Sequence, residues 1–268
     1  SGERYAGYIN DFRSGVGNDV NVFCMVVPTS SAYYTPSNFA DYNASHLDSI
    51  NSVYDNLDEG VVAIDAYGAL ALHTDEPIYT RTDHHWQPLG AYYAAQEFAR
   101  VAELPFAELE TMEVRTYDNF MGSLYTFTQD QDLYNDPEVF TYYVPANDFS
   151  TNYFNTSYEE GFRSIFFLEM DRFNAYSTFM GGDQKIVRVD TDVNNGRKLA
   201  VIKDSYGNAE IPFFMNSFEQ IYVIDMRYFD LNIFDFVEQE GITDVLFTCC
   251  TFSAVGPNAE GIHTIQTN

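Results

Sequence analysis

The sequence predicts an α/β protein, with a mostly parallel sheet covered on both faces by helices in a three-layer α/β/α stack and carrying an aromatic-rich insertion. Three observations carry that expectation. Apolar runs of strand length alternate with helical segments at both ends of the chain. Several of these runs are apolar without interruption, the pattern of strands buried on both faces. Between about residues 105 and 180 the alternation stops, and 18 Phe or Tyr fall from Tyr117 to Phe179 among Asn, Asp, Thr and Ser.

Element by element, residues 4–15 read as a helix. The run 21-NVFCMVVPT-29 reads as a strand ended by Pro28. Ser45 or Asn43 can cap a helix over 46-HLDSINSVYDNL-57, where Leu47, Ile50, Val53, Tyr54 and Leu57 recur at helical spacing. A second strand-like run, 61-VVAIDAYGAL-70, completes a β-α-β unit. Pro88 opens a helix over 89–104. In the last third, 186-IVRVD-190 and 198-KLAVIK-203 read as two strands of a hairpin turning at Asn195-Gly196. A helical stretch over 208–218, a strand at 220–225, a helix over 229–240 stopped by Gly241 and a strand at 244–250 follow. No linker separates the aromatic segment, so residues 1–268 read as one domain with an insertion or cap at about 105–180. Its aromatics suit either packing onto the sheet or a sugar-binding surface.

The chain carries 13 Lys+Arg against 40 Asp+Glu, a formal net charge of -27. That balance argues against nucleic acid and anionic membrane surfaces, whose binding rests on phosphate neutralisation. No apolar run is long enough for a membrane span. An N-terminal signal or anchor is expected to precede Ser1 in the natural protein. Cys24, Cys249 and Cys250 all sit in strand-like runs and read as buried thiols, since three cysteines make no paired framework.

Two stretches carry chemistry. In 198-KLAVIKDSYGNA-209 a strand ends and a turn places Ser205 at its carboxyl end, beside the N–H groups of a helix start. Ser205 there suits a nucleophile with an oxyanion hole nearby; Ser205 or Asp204 equally suits a plain helix cap. In 80-TRTDHHWQPLGAYYAAQEF-98, an extended Asp83-His84-His85 would throw Asp83 and His85 to one side and His84 to the other. The carboxylate could then orient His85 as a base for a serine. Metal ligation and simple core packing are the rival readings, and no HExxH or paired-Cys motif supplies further metal ligands.

The segments YTRTDHHWQPLGAYYA, Phe120-Met121-Gly122-Ser123, FMGGD at 179–183, KDSYGNA and 224-IDMRYF-229, taken in this order, resemble the DHHW family of bacterial extracytoplasmic proteins. That family is related to the alginate O-acetyltransferase group of SGNH-like hydrolases and acyltransferases. The resemblance runs from about Tyr79 to Phe247. It implies a flavodoxin-like SGNH fold and a Ser205, His85, Asp83 triad in an order inverted from ordinary SGNH enzymes. It also implies Tyr206, Arg227 and Asp183 as substrate or oxyanion residues, although Asp183 is a carboxylate where a donor is wanted.

The implied activity is a serine O-acyltransferase or acyl esterase on acetyl groups of a cell-surface or secreted glycan, outside the cell. It would need no cofactor or metal, and a membrane-bound partner is the expected acyl donor. A non-catalytic glycan-binding or scaffold protein on the same fold is the alternative.

Overall fold

The computed structural model describes every residue from Ser1 to Asn268. The first third runs α1 (Gly2–Gly15), β1 (Asn21–Val27), α2 (Ser31–Tyr34), α3 (His46–Tyr54), β2 (Val61–Ala63), α4 (Ala66–Ala71) and α5 (Pro88–Val101). The middle adds β3 (Glu113–Phe120), α6 (Ser123–Thr128), α7 (Gln131–Asn135), β4 (Glu138–Val144), β5 (Phe149–Tyr153) and β6 (Phe162–Ser164). The last third runs β7 (Ile186–Thr191), β8 (Lys198–Lys203), α8 (Ile211–Phe214), β9 (Gln220–Asp225), α9 (Ile233–Glu240), β10 (Asp244–Cys250), α10 (Thr251–Val255) and α11 (Glu260–Thr267).

Eight strands form one sheet in the order β2-β1-β10-β8-β9-β7-β5-β6. The first five are mutually parallel, and β7, β5 and β6 continue the sheet antiparallel. Strand alternation feeds two cores at once. Phe23, Met25 and Val27 of β1 enter one, and Val22, Cys24 and Val26 the other. Helices α1, α3, α9 and α11 cover the second face through Phe12, Val53, Phe236 and Ile262, among others. The first face carries α4, α5 and α8 together with Phe120 and Phe140 of the small β3–β4 sheet. The expected three layers are therefore present.

Local chemistry explains the boundaries. Ser45 caps α3 by accepting the Asp48 N–H, so of the two candidates it is the cap. Pro88 occupies the first turn of α5, and Ala91, Ala95 and Phe98 bury its inner face. Truncating Phe98 to Ala would cost about 3–5 kcal/mol. Asn232 caps α9, which therefore starts at Ile233 and not at Phe229, and Gly241 ends it with a left-handed φ of 65°. All three cysteines are free and buried.

Four expectations need correction. The run at 61–70 is a strand only to Ala63, because Asp65 caps α4 by accepting the Gly68 N–H. The stretch 208–218 is a 3-10 turn over Ser205–Ala209 followed by the single helical turn of α8. Strands β7 and β8 do not form a hairpin. The turn at Gly196 exists, but Thr191 donates to the Glu219 carbonyl and Glu219 donates to Arg197, so the chain before β9 wedges between them. Strand β9 then lies between β7 and β8. Finally, the aromatic segment is not apart from the sheet throughout: β3 and β4 form their own pair, whereas β5 and β6 extend the main sheet.

Candidate active site

The parallel strands end in polar side chains at one edge of the sheet. Continuing the alternation of β8 and β9 places Lys203 opposite Asp225 on the same face as Leu199, Val201, Ile221 and Val223. Asp204 then turns the chain. One of its carboxylate oxygens accepts the Tyr206 N–H at 2.9 Å and the other the Cys250 N–H at 3.0 Å, tying the turn to the end of β10. Asp204 is thus the cap, which leaves the Ser205 hydroxyl free for another partner.

That partner comes from the loop before α5. Residues 79–86 close on themselves through a bridge between Tyr79 and Trp86 and a hydrogen bond of 2.6 Å from the Thr80 hydroxyl to the His85 carbonyl. Asp83 accepts from the His85 N–H at 2.9 Å and pairs with His85 Nδ1 at 2.7 Å. Its second oxygen accepts the Ser123 N–H at the start of α6, at 2.8 Å. Gly122 permits that approach, because a Cβ there would collide with Asp83. Burial by itself would raise the Asp83 carboxyl, but the His85 hydrogen bond and charge and the Ser123 N–H hold it well below the usual carboxylate range.

His85 Nε2 lies 2.8 Å from Ser205 Oγ. With an ionised carboxylate on Nδ1, that nitrogen carries the proton, so Nε2 accepts and the serine hydroxyl donates. Asp83, His85 and Ser205 thus form one continuous hydrogen-bonded row at the carboxyl end of β8.

His84 departs from the expected geometry. The loop is bent, not extended, so its ring does not diverge but lies 3.8 Å from that of His85, with Nδ1 at 2.6 Å from Ser123 Oγ. Its side chain is half exposed. Burial and the neighbouring His85 lower its proton affinity. Asp83, His84 and His85 do offer ligand atoms within 4.8 Å of one another. Both nitrogens of His85 and the Nδ1 of His84 are already engaged by hydrogen bonds, so a cation would have to displace them.

The two halves are cross-tied. Trp86 Nε1 donates to the Tyr206 carbonyl at 3.1 Å, and the Tyr206 hydroxyl donates to the His84 carbonyl at 2.6 Å. Tyr206 is 2% exposed and belongs to the core, so the expected substrate contact gives way to a bracing role. Nothing in the sequence sets Tyr176 apart from the other aromatics of its segment. Its hydroxyl donates to the Ser205 carbonyl at 2.7 Å. Its ring stacks on His85.

Asp183 and Arg227 belong to an ionic cluster beside the serine turn. Buried Lys203 Nζ reaches Asp225 at 3.0 Å and Asp183 at 3.4 Å, and Arg227 pairs with both carboxylates at 2.7 Å. The Asn208 amide also donates to Asp183, at 3.0 Å. Burial opposes ionisation of Asp183, but Lys203 and Arg227 hold it below the ordinary range. Asp183 is therefore an acceptor and cannot supply an oxyanion-hole hydrogen bond. Arg227 is raised by its hydrogen bond to Asp225 and is spent on these carboxylates.

The model of the family described as DHHW protein matches residues 1–224. Among curated proteins none matches the chain. A crystal structure of a DHHW family protein from Eubacterium siraeum is 55% identical, with a TM-score of 0.94 over 98% of this chain and 88% of that one. The structure of Bacillus cereus PatB1 with a sulfonyl adduct superposes with a TM-score of 0.78 at 19% identity, covering 97% of this chain and 90% of that one. The O-acetyltransferase domain of Pseudomonas putida AlgJ gives a TM-score of 0.54 at 14% identity, over 99% and 89% of the two chains. The latter two share the SGNH-like fold, and sequence and structure together with the first place the chain in a family: it belongs to the DHHW proteins.

Proposed function

We propose that this protein is a serine-dependent O-acyltransferase or acyl esterase acting on acetyl groups of a cell-surface or secreted glycan. The observation that carries the reading is the Asp83–His85–Ser205 row, with 2.7 Å and 2.8 Å between its members. The likeness of fold to the O-acetyltransferase domain of AlgJ and to PatB1, seen with a sulfonyl adduct, supports it.

In this reading His85 Nε2 takes the Ser205 proton as Oγ attacks the ester carbonyl. The alkoxide leaving group departs with the proton carried by Nε2, leaving an acyl-serine. A sugar hydroxyl, or water, then gives its proton to Nε2 and attacks the acyl carbon. The new ester or free acid leaves, and the proton returns to Ser205. Asp83 holds the Nδ1 proton and balances the imidazolium. The N–H groups of Tyr206 and Gly207 are spent on Asp204, so the Ser205 N–H is the donor the turn offers to the oxyanion. No cofactor enters the scheme. In this reading a membrane-bound partner delivers the acyl donor.

The test is release of p-nitrophenol from p-nitrophenyl acetate by wild type and Ser205→Ala, with a sulfonyl fluoride as covalent probe. Turnover by wild type, its loss in the variant and a sulfonyl mass increment on Ser205 are expected. Equal turnover by both proteins removes Ser205 from the mechanism. Silence from both, with no adduct, favours a non-catalytic glycan-binding protein.

A further inference from the structure

The acyl-transfer scheme employs Asp83 and His85 and leaves His84 without a part. Yet three hydrogen bonds hold that residue in place. Its backbone N–H donates to Ser123 Oγ at 3.2 Å, its carbonyl accepts the Tyr206 hydroxyl at 2.6 Å, and its Nδ1 lies 2.6 Å from the same Ser123 Oγ. A half-exposed side chain ordinarily keeps its rotamer freedom, so this one is oriented at an entropic cost. The atom these ties leave unspent is Nε2, on a ring packed against that of His85 at 3.8 Å.

Hydrogen-bond accounting fixes the proton on that ring. Ser123 Oγ accepts the His84 N–H, and the acceptor within reach of its own proton is His84 Nδ1. The nearer Asp83 oxygen stands 3.7 Å from Nδ1, beyond hydrogen-bond reach, and already takes two hydrogen bonds from His85. Nδ1 therefore accepts, and the neutral ring carries its proton on Nε2. Burial and the neighbouring His85 disfavour a second proton, outweighing the charges of Asp83, Asp204 and Asp183 that favour one. His84 thus presents a fixed, uncharged donor beside the reactive pair, which suits an uncharged oxygen.

We infer that His84 selects the acyl acceptor: its Nε2–H donates to an oxygen on the carbon next to the one whose hydroxyl attacks acyl-Ser205. The acceptor class is therefore a vicinal polyol, as sugars are. This inference rests on the function proposed above. In the transfer, the attacking hydroxyl gives its proton to His85 Nε2 as its oxygen bonds to the acyl carbon. The bond from that carbon to Ser205 Oγ breaks, and the proton passes on to Oγ. His84 gives up no proton in this step and holds the second oxygen. Water and a simple alcohol have no second oxygen to offer, so the contact favours transfer to a sugar over hydrolysis.

The test offers propanol and propylene glycol, two alcohols of similar size, as acceptors with p-nitrophenyl acetate as donor, and measures the two acetate esters formed. Their ratio is taken on one acyl-enzyme, so a general loss of activity or stability cancels. His84→Phe keeps a ring on His85 without the nitrogen, and is expected to lower the glycol-to-propanol ratio about threefold to tenfold, the worth of one hydrogen bond. His84→Gln, whose amide nitrogen can stand where Nε2 stands, is expected to recover most of it. Nitrogen correlation spectra of histidine-labelled wild type, with the His84 signals assigned by their loss in His84→Gln, are expected to show the proton on Nε2. A ratio indifferent to His84→Phe, a ratio that His84→Gln fails to restore, transfer to neither alcohol, or a proton on Nδ1 overturns the contact and leaves serine turnover standing. Absence of p-nitrophenol release dependent on Ser205 removes the proposed function, and this contact with it.

Discussion

The ring of Tyr176 lies flat against the imidazole of His85, with 3.7 Å between centroids and 5° between planes. The same residue donates its hydroxyl to the carbonyls of Ser205 and Tyr206. One side chain thus sets both the tilt of the base and the height of the serine turn. Tyr176→Phe keeps the stack and removes the tie. It is expected to lower stability by about 1–2 kcal/mol and ester turnover by about tenfold, with KM little changed. Chemical denaturation and steady-state kinetics check the two parts. Tyr176→Ala should cost about 3–5 kcal/mol, because it also opens a cavity.

Asp83 and His84 are neighbours in sequence with different expected weights. Asp83→Asn preserves shape but reverses the hydrogen-bonding demand on His85 Nδ1, favouring the wrong tautomer. A loss of about 10³–10⁴ in kcat is expected. His84→Ala removes a half-exposed ring bonded to Ser123 and should cost less than about tenfold. A larger effect at His84 than at Asp83 would reverse the assignment of roles.

Chelation should leave the ester reaction untouched, because both His85 nitrogens are engaged by Asp83 and Ser205. Turnover measured after dialysis against a chelator, and again with added zinc, checks this. Dependence on the added ion would favour the metal reading of the Asp83-His84-His85 cluster.

Lys203 is fully buried between Asp225 and Asp183. Replacing it with Met leaves two carboxylates facing each other with Arg227 alone to balance them. The expected loss is about 3 kcal/mol in urea unfolding, at the low end for a broken buried pair because Arg227 remains. Arg227→Met, on a partly exposed guanidinium, should cost less.

Glu210 supplies a pH signature. Burial pushes its carboxyl from 4.5 up to about 8, and only one of its oxygens is bonded, to the Thr248 hydroxyl at 2.8 Å. The folded chain therefore holds a proton that the unfolded chain releases near 4.5. Stability from this group is complete below that pH and is lost as pH rises to about 8. Glu210→Gln keeps the shape without the titration. Its melting temperature should fall less than that of wild type between pH 5 and pH 8, and parallel curves for the two proteins would exclude the buried proton.

The β-α rhythm at both ends was legible because buried parallel strands are written as unbroken apolar runs, such as VFCMVV and LAVIK. The neighbour of each strand was not. Asn195-Gly196 makes the turn its composition calls for, yet the partner of both flanking strands is β9, about 25 residues further on. Within the site, Asp83, His85 and Ser205 stood out through local patterns of rare residue types. Tyr176 is one aromatic among 18, and only the fold distinguishes it. Asp183 and Arg227 lie beside the serine turn, but their mutual pairing across 44 positions has no local trace in the sequence.

Apart from the His85–Ser205 bond, the ties around the serine turn end on backbone oxygens: Tyr206 on the carbonyl of His84, Trp86 on that of Tyr206, and Tyr176 on that of Ser205. A carbonyl is the same whichever side chain accompanies it. Position 84 can therefore change identity without loosening the lock, while its side chain stands at the solvent-facing rim beside the reactive pair. Replacing residue 84 costs side-chain contacts alone, the bond to Ser123 and the packing on His85, and leaves these backbone ties in place.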